Sequence, residues 1–365
     1  MNDRKRPKAD VPAFYYRHNM QHIGLSGGTE MSLHLLKKRI TASVFVLGIA
    51  LSTWPAILST QESAAGIVPD GSQLELLFDG GFFLEGPAYG PDGHIYFSDI
   101  TFTNSSDMQA GHIWRYDPSS KIATIFRSPS GMANGIVFDH DGNMIVAQGA
   151  DFGGRSVIRI DMSSGKSRII AGLFNGRSFN APNDLVIDES GRIYFTDPRY
   201  RGMGHEPVEQ PVMGVYRIDP DGNISLIIDD AGTPNGIAVS PNQKILYVAS
   251  LDYKAYALNA LLAYDLADDG SVSNSRVVID FGPEWGPDGM TIDVDGNVYL
   301  ARSAQKSGVY IYSPEGRLQG YIPTPDGASN VTFGRGPMRQ TLYITAREKL
   351  YKIAVNRKGY HSAEW

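Results

Sequence analysis

Short runs of alternating apolar and polar residues occupy most of the chain from about residue 73 onward. The runs are rich in Ile, Val, Tyr and Phe, and turn residues such as Pro220, Asp221 and Gly222 separate them. This is the pattern of short antiparallel β-strands joined by tight turns. One representative stretch is predicted to form four strands, at 185–188, 192–196, 214–218 and 224–228. The pattern therefore predicts an all-β protein.

A longer segment with a common design occurs six times. It begins with a polar residue, often followed by Gly or Asp, and continues with an apolar run, a turn and a second apolar run. The polar residues are Glu85, Asn134, Asn183, Asn235, Asp288 and Asn330, at spacings of 49, 49, 52, 53 and 42 residues. Six copies with four strands each predict a six-bladed β-propeller. A series of β-sandwiches would also contain many short strands, but it does not explain a polar residue in the same phase of every copy.

The two ends of the repeat region predict how the ring closes. The last copy supplies only three strands, near 330–333, 341–345 and 350–355, whereas an extra strand at 73–78 precedes the first copy. We expect this N-terminal strand to complete the last blade, because the pairing would remove an exposed sheet edge. Residues 67–365 are therefore predicted to form one propeller domain.

Residues 1–66 have a different character from the rest of the chain. Lys37, Lys38 and Arg39 precede the uncharged, mostly apolar run Ile40–Leu58, and small polar residues follow it. This order is typical of a secretory signal peptide, and an uncleaved membrane anchor is the alternative. A start at Met31 instead of Met1 would give a signal of conventional length. We expect an exported protein, periplasmic or secreted, that contacts a membrane only if this segment is retained.

Composition and charge exclude several classes of function. The absence of cysteine excludes a disulfide scaffold, a cysteine nucleophile and thiolate metal sites. Residues 1–66 hold eight Lys or Arg and four Asp or Glu, and the remaining residues hold 25 and 35, so the predicted domain is acidic. We therefore expect no nucleic-acid partner.

The repeated polar residues predict a site at one mouth of the central channel. The innermost strand of each blade lines this channel, and each polar residue lies where that strand begins. A turn-forming role fits Asn134, Asn235 and Asp288, each of which precedes glycine. It explains less well Glu85, because Glu is a poor turn former, and Asn183 and Asn330, which no glycine follows. Two carboxylates and several amide oxygens at one point suit a hard divalent cation. We expect Ca²⁺, with Mg²⁺, Mn²⁺ or Zn²⁺ as alternatives.

The repeats also resemble a known family. The segments FLEGPAYGPDGHIYFSDI, MANGIVFDHDGN, APNDLVIDESGRIYFTDP, PNGIAVSPNQKILYVAS, GPDGMTIDVDGNVYLA and NVTFGRGPMRQTLYITA resemble the SMP-30/gluconolactonase/luciferin-regenerating-enzyme family over roughly residues 75–355. The resemblance implies a six-bladed propeller with one divalent cation, usually Ca²⁺, and hydrolysis of lactones or sometimes organophosphates. By motif, it assigns the metal ligands to Glu85, Asn183, Asn235 and Asp288, and the acid–base role to Asp288. At Ala181 the animal sugar-lactone members carry a substrate-holding arginine.

The sequence thus predicts a metal-dependent lactonase acting on a small lactone or related ester. The cation would act as a Lewis acid and Asp288 as the general base. Asn134 and Asn330 in the ring, and Tyr200 and His205 in the long loop 199–213, are the predicted substrate-binding residues. Two alternatives are a non-catalytic binding propeller with a structural cation and a strictosidine-synthase-like propeller. The intact ligand set favours the lactonase over the strictosidine-synthase-like propeller, but it does not separate the lactonase from the binding propeller.

Overall fold

The computed structural model describes residues 66–106, 108, 110–200, 205–254 and 257–363. The predicted signal or anchor segment lies outside these residues. Within the described ranges, no helix is long and apolar enough to span a membrane.

Nearly all regular structure in the described residues is β-strand. The strands are β1 Glu75–Asp79, β2 Leu84–Tyr89, β3 Ile95–Asp99, β4 His112–Asp117, β5 Ile122–Arg127, β6 Ala133–Phe138, β7 Met144–Gln148, β8 Ser156–Ile160, β9 Ser167–Ala171, β10 Leu173–Phe174, β11 Arg177–Ser178, β12 Leu185–Ile187, β13 Ile193–Asp197, β14 Gly214–Ile218, β15 Ile224–Ile228, β16 Pro234–Val239, β17 Ile245–Ser250, β18 Ala260–Leu266, β19 Val272–Asp280, β20 Met290–Ile292, β21 Val298–Arg302, β22 Gly308–Tyr312, β23 Leu318–Pro323, β24 Ala328–Phe333, β25 Thr341–Ala346 and β26 Lys349–Ala354. The short helix α1 spans Thr103–Ser106, and a single 3₁₀ turn spans Gly336–Met338.

The strands form six four-stranded antiparallel sheets, which are the blades of a propeller. Blades one to five are β2–β5, β6–β9, β12–β15, β16–β19 and β20–β23, and a small hairpin, β10–β11, separates blades two and three. Blade six has the strand order β24, β25, β26 and β1. The predicted six-bladed propeller is therefore confirmed.

The N-terminal strand closes the ring as predicted. β1 pairs antiparallel with β26, with Glu75 opposite Lys352 and Asp79 opposite Lys349. An ion pair of 3.2 Å joins the Lys352 Nζ to the Glu75 carboxylate across this pairing. The outer edge of β26 is therefore covered by a strand from the other end of the domain.

A repeated tyrosine in the second strand of most blades explains part of the sequence period. Tyr194 in β13 and Tyr299 in β21 are completely buried. Each donates its hydroxyl proton, at 3.0 Å, to the aspartate of the preceding turn, Asp188 or Asp293. The same aspartates accept backbone N–H groups within that turn. The motif therefore couples blade packing to the turn that ends the innermost strand.

A C-terminal tail, residues 356–363, covers the channel at the end opposite the starts of the innermost strands. The Tyr360 N–H donates to the carbonyl of Ile292 at 3.0 Å, and the Tyr360 hydroxyl donates to Glu189 at 2.9 Å. Ser362 donates its hydroxyl to the carbonyl of Ile187. The tail thus joins blades three and five across the channel, a feature that the sequence pattern did not predict.

Candidate active site

The six repeated polar residues all lie where an innermost strand begins. Glu85, Asn134 and Asn235 are the second residues of β2, β6 and β16, and Asn330 is the third residue of β24. Asn183 and Asp288 come two residues before β12 and β20. In the first four cases the strand pairing shifts register at this point, as it does at a β-bulge. Bulges redirect side chains, and here they occur beside the channel mouth.

The glycines that follow these residues allow close contact between blades. The Gly135 N–H donates to the carbonyl of Asn183 at 2.8 Å, and the Gly236 N–H donates to the carbonyl of Asp288 at 3.0 Å. A Cβ atom at Gly236 would come within 2.4 Å of that carbonyl oxygen, so no larger residue fits without a shift. The Asn-Gly pairs therefore belong to interblade contacts rather than to simple turns.

Three carboxylates, Glu85, Asp184 and Asp288, form an acidic cluster at the mouth. Burial and the charges of Asp288 and Asp184 raise the pKa of Glu85 well above its usual value. Burial raises the pKa of Asp184 to about 7. Burial, together with the charge of Asp184, also raises the pKa of Asp288 to about 7. Carboxylates this close cannot all ionise easily without a compensating positive charge. Asp184 follows Asn183 directly in the PND motif. From the sequence it was, with His205, only the alternative base if Asp288 proved to be a ligand alone.

The amide side chains at the mouth interleave with the carboxylates. Hydrogen bonds from the Asn330 side chain favour the ionised forms of Glu85 and Asp184. Asn235 likewise favours ionised Asp288, and its Nδ2 also donates to the Tyr200 hydroxyl at 2.7 Å. The structure therefore brings the predicted ring residues together.

Asn134 differs from the other amides. Its Oδ1 is buried and has no hydrogen-bond partner among the described residues. Buried acceptors are normally paired, so this oxygen is suited to a ligand.

Two cavities lie near the acidic cluster. Asn134, Asn183 and Tyr200 line a cavity on the mouth side, which we call the mouth cavity. Asp184 and Asn330 line a second cavity that runs through the channel to the C-terminal tail. Among the predicted substrate-binding residues, Asn134 and Tyr200 therefore face the mouth cavity, whereas Asn330 faces the channel.

His205 lies on the outer rim and does not line either cavity. Its Nδ1 is 2.9 Å from the Asp151 carboxylate, and its ring stacks on Phe152 at a centroid distance of 4.7 Å. Glu206 accepts the N–H groups of Asp151 and Phe152 at 3.1 and 2.6 Å. The long β13–β14 loop is thus attached to the β7–β8 loop of the neighbouring blade.

Asp197, at the end of β13, supports the segment that carries Asn183. Its carboxylate accepts the N–H groups of Asn180 at 2.9 Å and Ala181 at 2.8 Å. Burial raises the pKa of Asp197 to about 7. Asp99 plays the equivalent role in blade one, accepting the N–H group of Phe82 at 2.9 Å. These roles of Asp99 and Asp197 were not predicted. The sequence does contain a signal for them, because β3 ends in Ser-Asp and β13 ends in Thr-Asp.

The fold defines a six-bladed β-propeller, and its repeated polar residues form a candidate site at one mouth of the channel. Residues 83–348 match the family described as SMP-30/Gluconolactonase/LRE-like region, and the chain belongs to that family. A gluconolactonase from Zymomonas mobilis subsp. mobilis is 30% identical over 293 residues, covering 73% of this chain and 79% of that protein. Lactonase drp35 of Staphylococcus epidermidis is 29% identical over 279 residues, covering 72% and 78%.

A solved gluconolactonase from Xanthomonas campestris is also similar. It is 26% identical, has a TM-score of 0.69, and the match covers 80% of this chain and 92% of that chain. Together with the two relatives, it confirms the predicted family and the predicted enzyme class, a lactonase.

Proposed function

We propose that this protein hydrolyses lactones with the help of one divalent cation, Ca²⁺, at the channel mouth. Glu85, Asn183, Asn235 and Asp288 would hold the cation. The observation that carries the proposal is the donor set itself. The buried side chains of Glu85 and Asn235 and the partly buried side chains of Asn183 and Asp288 lie at the starts of four innermost strands, and the unpaired Oδ1 of Asn134 lies at the start of a fifth.

The oxygen donors fit a hard cation better than a soft one. Within the described ranges, no group of three or more Asp, Glu or His side chains is placed to hold a metal ion. The proposed set instead combines two carboxylates with two amides, and Ca²⁺ accepts such mixed oxygen ligands with irregular geometry. A cation would also compensate the charges of the acidic cluster, whose pKa values are raised in its absence.

A bound cation supplies Lewis-acid polarisation of the lactone carbonyl. Asp288 would also accept a proton from the attacking water. Because a carboxylate bound to a cation is a weak base, the cation would also have to lower the pKa of that water. Tyr200 holds the Asn235 amide, which in turn contacts Asp288. Asn134 and Asn183 face the mouth cavity, where they could orient the lactone ring.

A lactone-hydrolysis assay with controlled cation tests the proposal. The full chain is freed of metal with a chelator, and acid release from simple lactones is followed before and after addition of Ca²⁺, Mg²⁺, Mn²⁺ or Zn²⁺. We expect activity to disappear with the chelator and to return best with Ca²⁺. The exposed Asp70→Asn variant is the matched charge control. Cation-dependent stability without lactone hydrolysis would favour a binding propeller with a structural cation.

A further inference from the structure

We propose that the preferred substrate is a lactone bearing an apolar substituent, rather than a lactone covered with hydroxyl groups. This inference rests on the proposed lactonase function and concerns the substrate class that the mouth cavity accepts.

The walls of the mouth cavity are mostly apolar. They include Ile100, Phe102, Met132, Ala150, Ala181 and Pro182. Ile100, Met132 and Ala150 are each at least nine-tenths buried, so their positions are fixed by packing. Such a surface gains free energy when it takes an apolar group out of water, and it offers no hydrogen bond to a hydroxyl group.

The charged groups that line the same cavity are already engaged with the protein. The Arg199 guanidinium donates to the carbonyls of Asn180 at 3.0 Å and Glu206 at 2.6 Å. The Asp151 carboxylate accepts the Thr103 N–H at 2.7 Å and contacts His205 Nδ1 at 2.9 Å. The other polar side chains that line the cavity are Asn134, Asn183 and Tyr200. Hydroxyl groups of a polyhydroxylated ring that these side chains do not reach would lose their hydrogen bonds to water without replacement, which costs binding energy.

The rim around the cavity is apolar as well. Large exposed hydrophobic side chains lie on the loops that connect the second and third strands of blades one to four. They are Met108, Phe152, Val208, Tyr253 and Leu258. Tyr200, Tyr253 and Trp285 also form a row of aromatic rings with centroid distances of 5.7 and 4.9 Å. The apolar cavity wall therefore continues outward, which gives a substituent a surface to lie on beyond the reacting ring.

The expected preference can be scaled. Each methylene group that leaves water on binding contributes up to about fourfold in affinity. A six-carbon substituent that is only partly covered should therefore raise kcat/KM by about one to three orders of magnitude.

The test compares one five-membered lactone ring in four forms: unsubstituted, with a hexyl chain, with a phenyl group, and with hydroxyl groups. We expect kcat/KM to be highest for the hexyl or the phenyl form. Whichever of the two is hydrolysed better shows whether the cavity prefers a flexible chain or a flat ring. Met132→Gln should reduce this preference at least tenfold, mainly through KM. Leu318→Gln, an exposed position on the outer strand β23, should not change it.

Ala150→Ser makes the same test at a smaller side chain if Met132→Gln does not fold. Equal or higher kcat/KM for the hydroxylated lactone would overturn the inference and leave the lactonase intact. If no lactone is hydrolysed, the proposed function fails, and calorimetry with the corresponding non-hydrolysable lactams decides the inference. Tighter binding of the apolar lactams would support it, and equal or weaker binding would overturn it.

Discussion

The Nδ2 of Asn235 donates a hydrogen bond to the hydroxyl of Tyr200 at 2.7 Å. This contact connects the innermost strand of blade four to the long loop of blade three. The Asn235 side chain also hydrogen-bonds to Asp288, and a carboxylate can only receive that bond from the amide nitrogen. Both acceptors thus engage the nitrogen, which leaves the amide oxygen of Asn235 directed elsewhere, as ligation requires.

Removal of the tyrosine hydroxyl tests this orientation. We expect Tyr200→Phe to weaken Ca²⁺ binding by about two- to tenfold, because one hydrogen bond contributes about 0.5–1.5 kcal/mol. The measurement is the Ca²⁺ concentration that produces half of the rise in Tm. Tyr310→Phe, which removes a hydroxyl that donates to the Lys306 carbonyl in blade five, should leave that Ca²⁺ concentration unchanged. Equal Ca²⁺ binding by both variants would show that Tyr200 does not orient Asn235 for cation binding.

Substitutions of two carboxylates separate ligation from proton transfer. Glu85→Gln should weaken cation binding, and excess cation should restore part of the activity. Asp288→Asn should remain inactive even when its cation site is saturated, because an amide cannot accept the proton of water. The gap between the two saturated variants should be about 10²–10⁴-fold.

This comparison requires the occupancy of the cation site to be measured in both variants. If saturated Asp288→Asn hydrolyses lactones as well as saturated Glu85→Gln, Asp288 is a ligand only. Asp184, which belongs to the same acidic cluster, would then be the first base to examine.

The acidic cluster makes stability depend on pH when no cation is bound. In the folded state Asp184 and Asp288 have pKa values of about 7, against an ordinary value of 3.8. Between these values the folded protein retains protons that the unfolded chain has released, so the free energy of unfolding should fall as pH rises from about 4 to about 7. Saturating Ca²⁺ should abolish most of this fall. Denaturant titrations of metal-free protein at several pH values measure this change in the free energy of unfolding. We expect Asp184→Asn to flatten the pH dependence and Asp70→Asn to leave it unchanged.

Cation binding should also raise the melting temperature at constant pH. A ligand at a hundredfold excess over its Kd adds about 2.7 kcal/mol to the free energy of unfolding. Scanning calorimetry of metal-free protein, with and without Ca²⁺, measures the effect. An unchanged Tm in a sample shown to be metal-free would contradict a cation site that joins several blades.

Deletions from the N-terminus test the closure of the ring. A chain lacking residues 1–66 should remain folded and active, because it keeps Ile67, which is buried and whose carbonyl accepts the Asn356 N–H at 2.7 Å. Deletion through Phe78 removes most of β1 and exposes the edge of β26, so we expect aggregation or a large fall in Tm. Equal stability of the two deletion proteins would contradict the role of β1.

Periodicity made the propeller and its polar ring predictable. The strands predicted at 214–218 and 224–228 agree with β14 and β15, because their alternation is complete and clear turns bound them. The ring residues were predictable because they recur in one phase of the repeat.

Features that break the repeat could not be found in this way. An aspartate directly after the repeated polar residue occurs only in blade three, as Asp184. Its contribution to the acidic cluster depends on its burial beside Glu85 and Asp288. The position of His205 is set by Asp151 and Phe152 on another blade, a long-range contact with no local signal. The C-terminal tail contains no strand pattern, and its place depends on hydrogen bonds to blades three, four, five and six.

The pairing of β1 with β26 also determines the order in which the protein can fold. β1 is synthesised before all five other blades, yet its partner is among the last segments to be made. An emerging chain can build local hairpins, but blade six stays incomplete and β1 has no partner until synthesis is almost finished. In a circular permutant that places β1 directly after β26, the two strands could pair as soon as both are synthesised. This protein should complete blade six without the delay imposed by the natural order.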